Sequence, residues 1–211
     1  MARLSSYLDL LAPIGAHLVM CVEPAVHELP QLPSVCYDQT NVVHQAVRAL
    51  ASRGHRRMAF LGAGDFSTAK QRMDGFAAGL ASFGLPLGDG MMVVCDNTTE
   101  AAHAEALRLL GRPDRPTAVV AFSDFVALGV YRAARGLGLA IPDDVSVIGF
   151  DDLACDVDMT PPLSSIHAPW QTMGEQAARF AMDGVPAGVA PHVTFTSQLV
   201  LRGSVGACAG R

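Results

Sequence analysis

No apolar run in this 211-residue chain approaches the roughly 18 residues that a membrane-spanning helix needs. The first residues include Arg3 but no apolar core followed by a small-residue cleavage site, so no export signal is read and a cytoplasmic location is expected. Charge is sparse, at 17% of residues, and the net charge of −5 argues against nucleic-acid binding by this chain alone. Cys21, Cys36, Cys95, Cys155 and Cys208 are scattered, odd in number and without a Cys-x-x-Cys pair. They read as small buried residues in a reducing compartment, not as a disulfide framework. The seven histidines never take a spacing such as His-x-x-x-His, so no metal site is expected. Gly-x-Ser-x-Gly is absent and no Ser/His/acid set stands at the strand ends, so the chain is not expected to be an enzyme. There is no internal repeat and no low-complexity tract.

What is present is a hydrophobic half of the residues, arranged in alternating strand and helix patterns. Asn41 to Arg53 carries Val43, Ala46, Val47 and Leu50 at helical spacing and stops at Gly54. Met58 to Leu61 reads as a strand. A helix capped by Ser67 or Thr68 follows, with Met73, Phe76, Ala77 and Leu80 on one face. Met91 to Cys95 is a strand, Thr98 to Leu110 a helix and Thr117 to Phe122 a strand. Asp124 to Leu137 is a helix apolar on nearly every side, and therefore expected to be covered. Val145 to Phe150 is a β-branched strand, Trp170 to Met182 a last helix and Val193 to Leu201 a last strand. Repeated βα units of this length imply a parallel sheet with right-handed crossovers. Before Asn41 there is less: a helix end at Ser5 to Leu11 and strands at Leu18 to Val22 and Val35 to Tyr37.

The most informative stretch is Ile141-Pro142-Asp143-Asp144-Val145-Ser146-Val147-Ile148-Gly149-Phe150-Asp151-Asp152, a strand that delivers two carboxylates at its carboxyl end. That edge of an open α/β sheet is where ligands bind. Thr160-Pro161-Pro162-Leu163-Ser164-Ser165-Ile166 follows as a stiff, extended crossing. Together they resemble the effector-sensing module of LacI/GalR-type transcription regulators. Other segments match in order: Pro33-Ser34-Val35-Cys36-Tyr37-Asp38-Gln39, Gly54-His55-Arg56-Arg57-Met58-Ala59-Phe60-Leu61-Gly62, Ala121-Phe122-Ser123-Asp124 and Leu199-Val200-Leu201-Arg202-Gly203-Ser204. The resemblance covers Pro33 to Ser204.

It implies a two-lobed periplasmic-binding-protein-like type I α/β fold with parallel sheets and an incomplete N-terminal lobe. Residues 1–38 with 168–188 would form that lobe, residues 39–167 with 189–204 the other, and residues 205–211 a tail. It further implies a homodimeric repressor that binds a sugar-like or nucleoside-like effector between its lobes and contacts DNA only through a helix-turn-helix domain not seen before Ser5. No cofactor and no membrane are implied.

Arg72 matches the arginine that reaches the effector in the resembling family, and its five donors in a planar fork suit vicinal hydroxyls or a carboxylate. By spacing alone it would be a surface residue of the Thr68 helix. Asp151 can accept from ligand hydroxyls, whereas Asp152 is expected to be structural. Trp170, the only tryptophan, is a stacking surface or a core residue in equal measure. Ser123 stands where the family usually has Asn, Asp124 reads better as a helix N-cap than as a contact, and Asp38 serves the ligand or the hinge. Thr68 completes the candidate ligand set. Val42 and Ala168 also depart from the family's glycine and polar residue.

Two other function classes are open to the same residues. Gly62-Ala63-Gly64 follows a strand, as in a dinucleotide-binding enzyme, but Ser67 occupies the third glycine position and Asp96 lies too far on. A periplasmic sugar receptor would share the fold. On an extended chain Asp151 and Asp152 alternate in direction, which makes a poor acid/base pair for glycoside chemistry.

Overall fold

The computed structural model describes residues 18–22, 32–62, 67–184 and 191–208. The expected helix end at Ser5 to Leu11, and Ala63 and Gly64 of the glycine pair, lie outside the described residues. Contacts divide the chain into two units, Met1–Tyr37 with Pro169–Thr196 and Asp38–Ala168 with Ser197–Arg211.

The larger unit is a six-stranded sheet in the order β4-β3-β5-β6-β7-β9. Its strands are β3 (Met58–Leu61), β4 (Met92–Val93), β5 (Ala118–Ala121), β6 (Ser146–Asp151), β7 (Ser164–His167) and β9 (Gln198–Val200). All pair in parallel except β7 with β9. The interior strands are buried throughout: every residue of β3 and β5, and Ser146 to Phe150 of β6. This is why they read as continuous apolar runs and not as alternating ones.

Four helices cover the sheet: α1 (Gln39–Ala51), α2 (Ser67–Ser82), α3 (Thr99–Leu110) and α4 (Asp124–Gly136). α1 packs on α2 and α3 on α4. Right-handed crossovers put these pairs on opposite faces, because the chain steps outward from β3 to β4 and then back across β3 to β5. Where α4 crosses α3, a methyl at Gly129 would stand 2.6 Å from Ala102 Cβ and 2.8 Å from the His103 nitrogen, so glycine sets the closeness of the pair. Local chemistry fixes the helix ends. Asp38, Thr98 and Ser123 cap α1, α3 and α4 by accepting from Asn41, Ala101 and Val126 nitrogens. Gly54, Gly84 and Gly138 take left-handed φ just past α1, α2 and α4, and each is followed by an N–H bonded five residues back.

The smaller unit, as described, is a parallel three-stranded sheet, β1 (Met20–Val22), β2 (Ser34–Tyr37) and β8 (His192–Phe195), in that order. Helix α5 (Trp170–Asp183) packs on β1 and β2 through Met173.

Several expectations need correction. The last strand is two: β8 pairs with β2, β9 pairs with β7, and the chain changes sheets at Thr196–Ser197. Ser164–His167 is an interior strand and not a free extended crossing. Residues 205–208 of the expected tail are tied down, since Gly206 donates to Ser146 Oγ and Cys208 to the Arg53 carbonyl. α4 is not covered on all sides, with Phe125 53% and Leu128 40% exposed. Among the cysteines Cys36 is buried, whereas Cys21 and Cys155 are exposed.

Candidate functional site

In a sheet of this topology the chain leaves β3 and β5 in opposite directions, which opens a crevice outside their carboxyl ends. Four elements deliver side chains to this edge. β3 runs into Gly62, β5 runs into Phe122, Ser123 and Asp124, β6 ends at Asp151, and the first turns of α2 carry Thr68 and Arg72. Gly62 has φ +127°, and a methyl there would meet Phe122 Cβ at 2.5 Å. The two strand ends therefore touch through glycine.

Arg72 is only 4% exposed, so the surface reading of this residue is wrong. Its Nε donates to Gln39 Oε1 at 2.6 Å and its Nη1 to the Phe122 carbonyl. The guanidinium carbon sits 3.5 Å from the centre of the Phe150 ring and 4.4 Å from that of Phe122. A cation over desolvated aromatic faces gains about 2 kcal/mol, which offsets part of the cost of burial. Asp151 supplies the countercharge. Burial pushes its carboxyl up, with Asp124 adding to the shift and Arg72 opposing it, and it settles at about 7. Asp151 and Asp152 are not on an extended chain, because φ is 112° and 58°.

Ser123 is buried and already engaged: its Oγ accepts from Val126 nitrogen at 3.3 Å and donates to Asn97 Oδ1 at 2.5 Å. The hydroxyl that stands where an amide was expected is thus bonded to an amide from the loop before α3. Asp124 is not the N-cap, since Ser123 is. It is instead a buried carboxylate that accepts from Ser165 Oγ at 2.7 Å and from Leu153 nitrogen at 3.1 Å. Burial holds its pKa up. Gly149 of β6 makes room for it, as an added methyl would run into Asp124 Oδ1. Asp38 is exposed and caps α1. Thr68 is buried in α2. Asp152 is held by Arg202 Nη2 at 2.6 Å and His167 Nδ1 at 3.0 Å, a structural role. Trp170 belongs to the smaller unit, where it opens α5, 40% exposed and edge-on to Tyr37 at 5.9 Å.

Arg72, Thr68, Ser123, Asp124 and Asp151 therefore share one edge of the larger unit. Sequence reasoning passed over three of their neighbours. Gln39 continues the buried α1 face of Val43, Ala46 and Leu50 one turn back, and a polar residue on such a face was the signal. Asn97 and Asp156 sit in a loop and a short 3₁₀ turn, Ala154–Asp158, whose irregular spacing gives no such signal. Two cavities in the larger unit lie elsewhere. One of about 580 Å³ borders Leu128, Tyr131, Arg135 and Met159, and one of about 210 Å³ borders His55, Arg115 and Asp144. Neither is lined by any residue of this edge. Among the described residues, no three His, Cys, Asp or Glu are arranged to hold a metal ion, and no helix is long and apolar enough to cross a membrane. The chemistry on offer is recognition: a planar cation and a carboxylate at one sheet edge, suited to paired hydroxyls.

Comparison with known proteins points the same way. The model of the periplasmic binding protein-like domain matches residues 47–205. The regulator reg1 of Streptomyces lividans, of the helix-turn-helix type, is 35% identical over 191 residues, covering 85% of this chain and 54% of the relative. The ribose operon repressor of Escherichia coli K12 is 38% identical over 133 residues, 63% of this chain and 40% of the repressor. The chain thus spans about half the length, or less, of these curated relatives. Among solved structures, a sugar-binding transcriptional regulator of the LacI family from Escherichia coli superposes with a TM-score of 0.81 at 28% identity, over 96% of this chain and 73% of the other.

Proposed function

Because the chain belongs to the periplasmic binding protein-like family in the form carried by LacI-type transcriptional regulators, we propose that it is the effector-sensing part of such a regulator and that its effector is a small polyol, a sugar or a nucleoside. The observation that carries this reading is the buried Arg72 at the carboxyl edge of the sheet, close enough to the half-buried Asp151 to act on its charge, with Ser123 and Asn97 at the same edge. A guanidinium and a carboxylate at one sheet edge, each short of hydration, gain by taking the hydroxyls of a ligand as partners. Relatives that are sugar-binding or ribose-operon regulators support the substrate class, and all of the relatives named above are regulators and not enzymes.

In the whole regulator, DNA contacts come from a helix-turn-helix domain, the molecule acts in the cytoplasm as a homodimeric repressor, and the effector changes DNA affinity through differential binding to two conformations. Coupling of about 1–3 kcal/mol suffices for such a change.

The test is calorimetric titration with D-ribose, D-galactose, maltose and adenosine. At least one should bind, and Asp151→Asn should weaken it tenfold or more, the worth of one charge-assisted bond. Arg72→Lys should do the same while keeping a cation over Phe150. Arg72→Ala is a poorer choice because it strips a donor from Gln39 and the Phe122 carbonyl. Binding that survives both Asp151→Asn and Arg72→Lys undiminished would refute this site.

A further inference from the structure

The carboxyl end of β6 gathers four carboxylates, Asp124, Asp151, Asp152 and Asp156, against two guanidiniums, Arg72 and Arg202. Arg202 is taken by Asp152, which His167 also faces. Arg72 faces Asp151. The remaining two acids face each other. Asp156 lies in the 3₁₀ turn that follows β6, is fully buried, and receives a hydrogen bond from no donor at either oxygen. Tyr131 of α4 is the other titratable group nearby, and its hydroxyl donates to the Pro161 carbonyl. The Asp156 carboxyl lies against that of Asp124, within hydrogen-bonding reach once one of them carries a proton. Asp124 already accepts from Ser165 Oγ and Leu153 nitrogen. Those bonds call for an anion at Asp124, which puts the proton on Asp156.

We propose that Asp124 and Asp156 hold a single proton between them, carried by Asp156 and donated to Asp124, and that this pair is the positioning device for Asp151. Burial and the neighbouring Asp124 charge raise Asp156 to about 8, Arg202 opposing, which keeps the pair singly protonated at neutral pH. The positioning runs through hydrogen bonds. Asp124 holds Leu153 nitrogen directly, and it holds Ser165 Oγ, which in turn accepts from Asp152 nitrogen. These bonds hold the peptide nitrogens that follow the two left-handed residues, Asp151 and Asp152, a conformation that side-chain-bearing residues keep only where surroundings impose it. With the proton gone, two anions lie in contact, Asp124 is driven off its donors, and Asp151 loses its fixed direction. The effect on sugar binding rests on the function proposed above, whereas the shared proton does not.

The experiment uses the full chain. Infrared spectroscopy should show a protonated carboxylic acid that titrates near pH 8, above the Asp151 acid that titrates near 7. Asp156→Asn keeps a donor toward Asp124 and should remove that signal without unfolding the protein. Asp124→Asn should also remove it, because the new amide donates to an ionised Asp156. Sugar affinity, measured with the panel above, should fall about tenfold from pH 7 to pH 9 in the wild type and stay flat in Asp156→Asn, while Asp156→Ala, with no donor, should bind weakly at both. Absence of the step near pH 8, or its survival in Asp156→Asn, overturns the shared proton. An unchanged pH profile in Asp156→Asn overturns the positioning role. If no sugar binds at any pH, the effector reading and the positioning role built on it fail together, and the infrared result alone decides the proton.

Discussion

Replacing Gly149 with alanine tests the seating of Asp124 on the sheet. The residue lies inside β6. An added methyl would overlap Asp124 Oδ1 outright and stand 2.9 Å from Leu163 Cδ2, a fully buried neighbour. Forcing one extra carbon into a packed interior costs about 1–3 kcal/mol. Moving Asp124 aside also breaks its bonds from Ser165 Oγ and Leu153 nitrogen, about 1–1.5 kcal/mol each. The total is about 3–6 kcal/mol, and at about 2–4 °C per kcal/mol the melting point should drop by roughly 6–24 °C. Differential scanning calorimetry reads this directly. Gly136→Ala is the control, because its new methyl meets nothing nearer than Leu107 Cδ2 at 3.9 Å, and it should melt within about 2 °C of the parent. A Gly149→Ala protein that melts alongside this control would show that Asp124 does not press on β6, and the geometry argued for the whole edge would go with it.

Ser123→Ala removes the cap of α4 and the partner of Asn97, and thermal melts should register about 1 kcal/mol of lost stability. Arg202→Leu leaves Asp152 without its guanidinium and the Leu163 carbonyl without its donor, for about 1–3 kcal/mol in urea unfolding. His55 is buried between Thr117 Oγ1 and the Gly206 carbonyl, and burial lowers its pKa. Because the unfolded chain then binds the proton more readily, stability should fall as pH drops below about 6.5, and His55→Gln should flatten that slope. Asp151 gives the opposite sign. Its folded value near 7 lies above the unfolded one, so its contribution is full below about pH 4 and is lost as pH rises toward 7. Urea melts of Asp151→Asn should show a shallower decline over that range, the remainder belonging to Asp124 and Asp156.

Much of this fold was legible because its strands and helices obey simple periods. Met58–Leu61 and the Thr98-capped helix appear where the apolar spacing put them. The Thr98 cap marked its helix start, whereas the helix read from Asn41 to Arg53 runs from Gln39 to Ala51 with Asp38 as its cap. What escaped has a common cause. The division of His192–Val200 between two sheets depends on which strands are available to pair, and a run of alternating residues looks the same whether it feeds one sheet or two. Burial of Arg72 could not be read either, since an arginine on a helix ordinarily points to water, and here it lies on Phe150 and Phe122, rings far away in sequence. Gln39 and Asp156 matter only through partners that folding brings to them.

The pairing of β2 with β8 sets a delay in the life of the molecule. Ser34 meets His192, 158 residues later in the chain. At synthesis rates of roughly 5–20 residues per second, β2 waits on the order of 8–30 s for its neighbour, while β3, β5 and β6 already have theirs. Throughout that interval Ser34–Tyr37 offers an open backbone edge to any passing strand. A ribosome that stalls before His192 would release a chain with a finished parallel core and an adhesive ribbon at its beginning. Aggregation of such truncated products should therefore start from β2 and not from the sheet that carries Arg72.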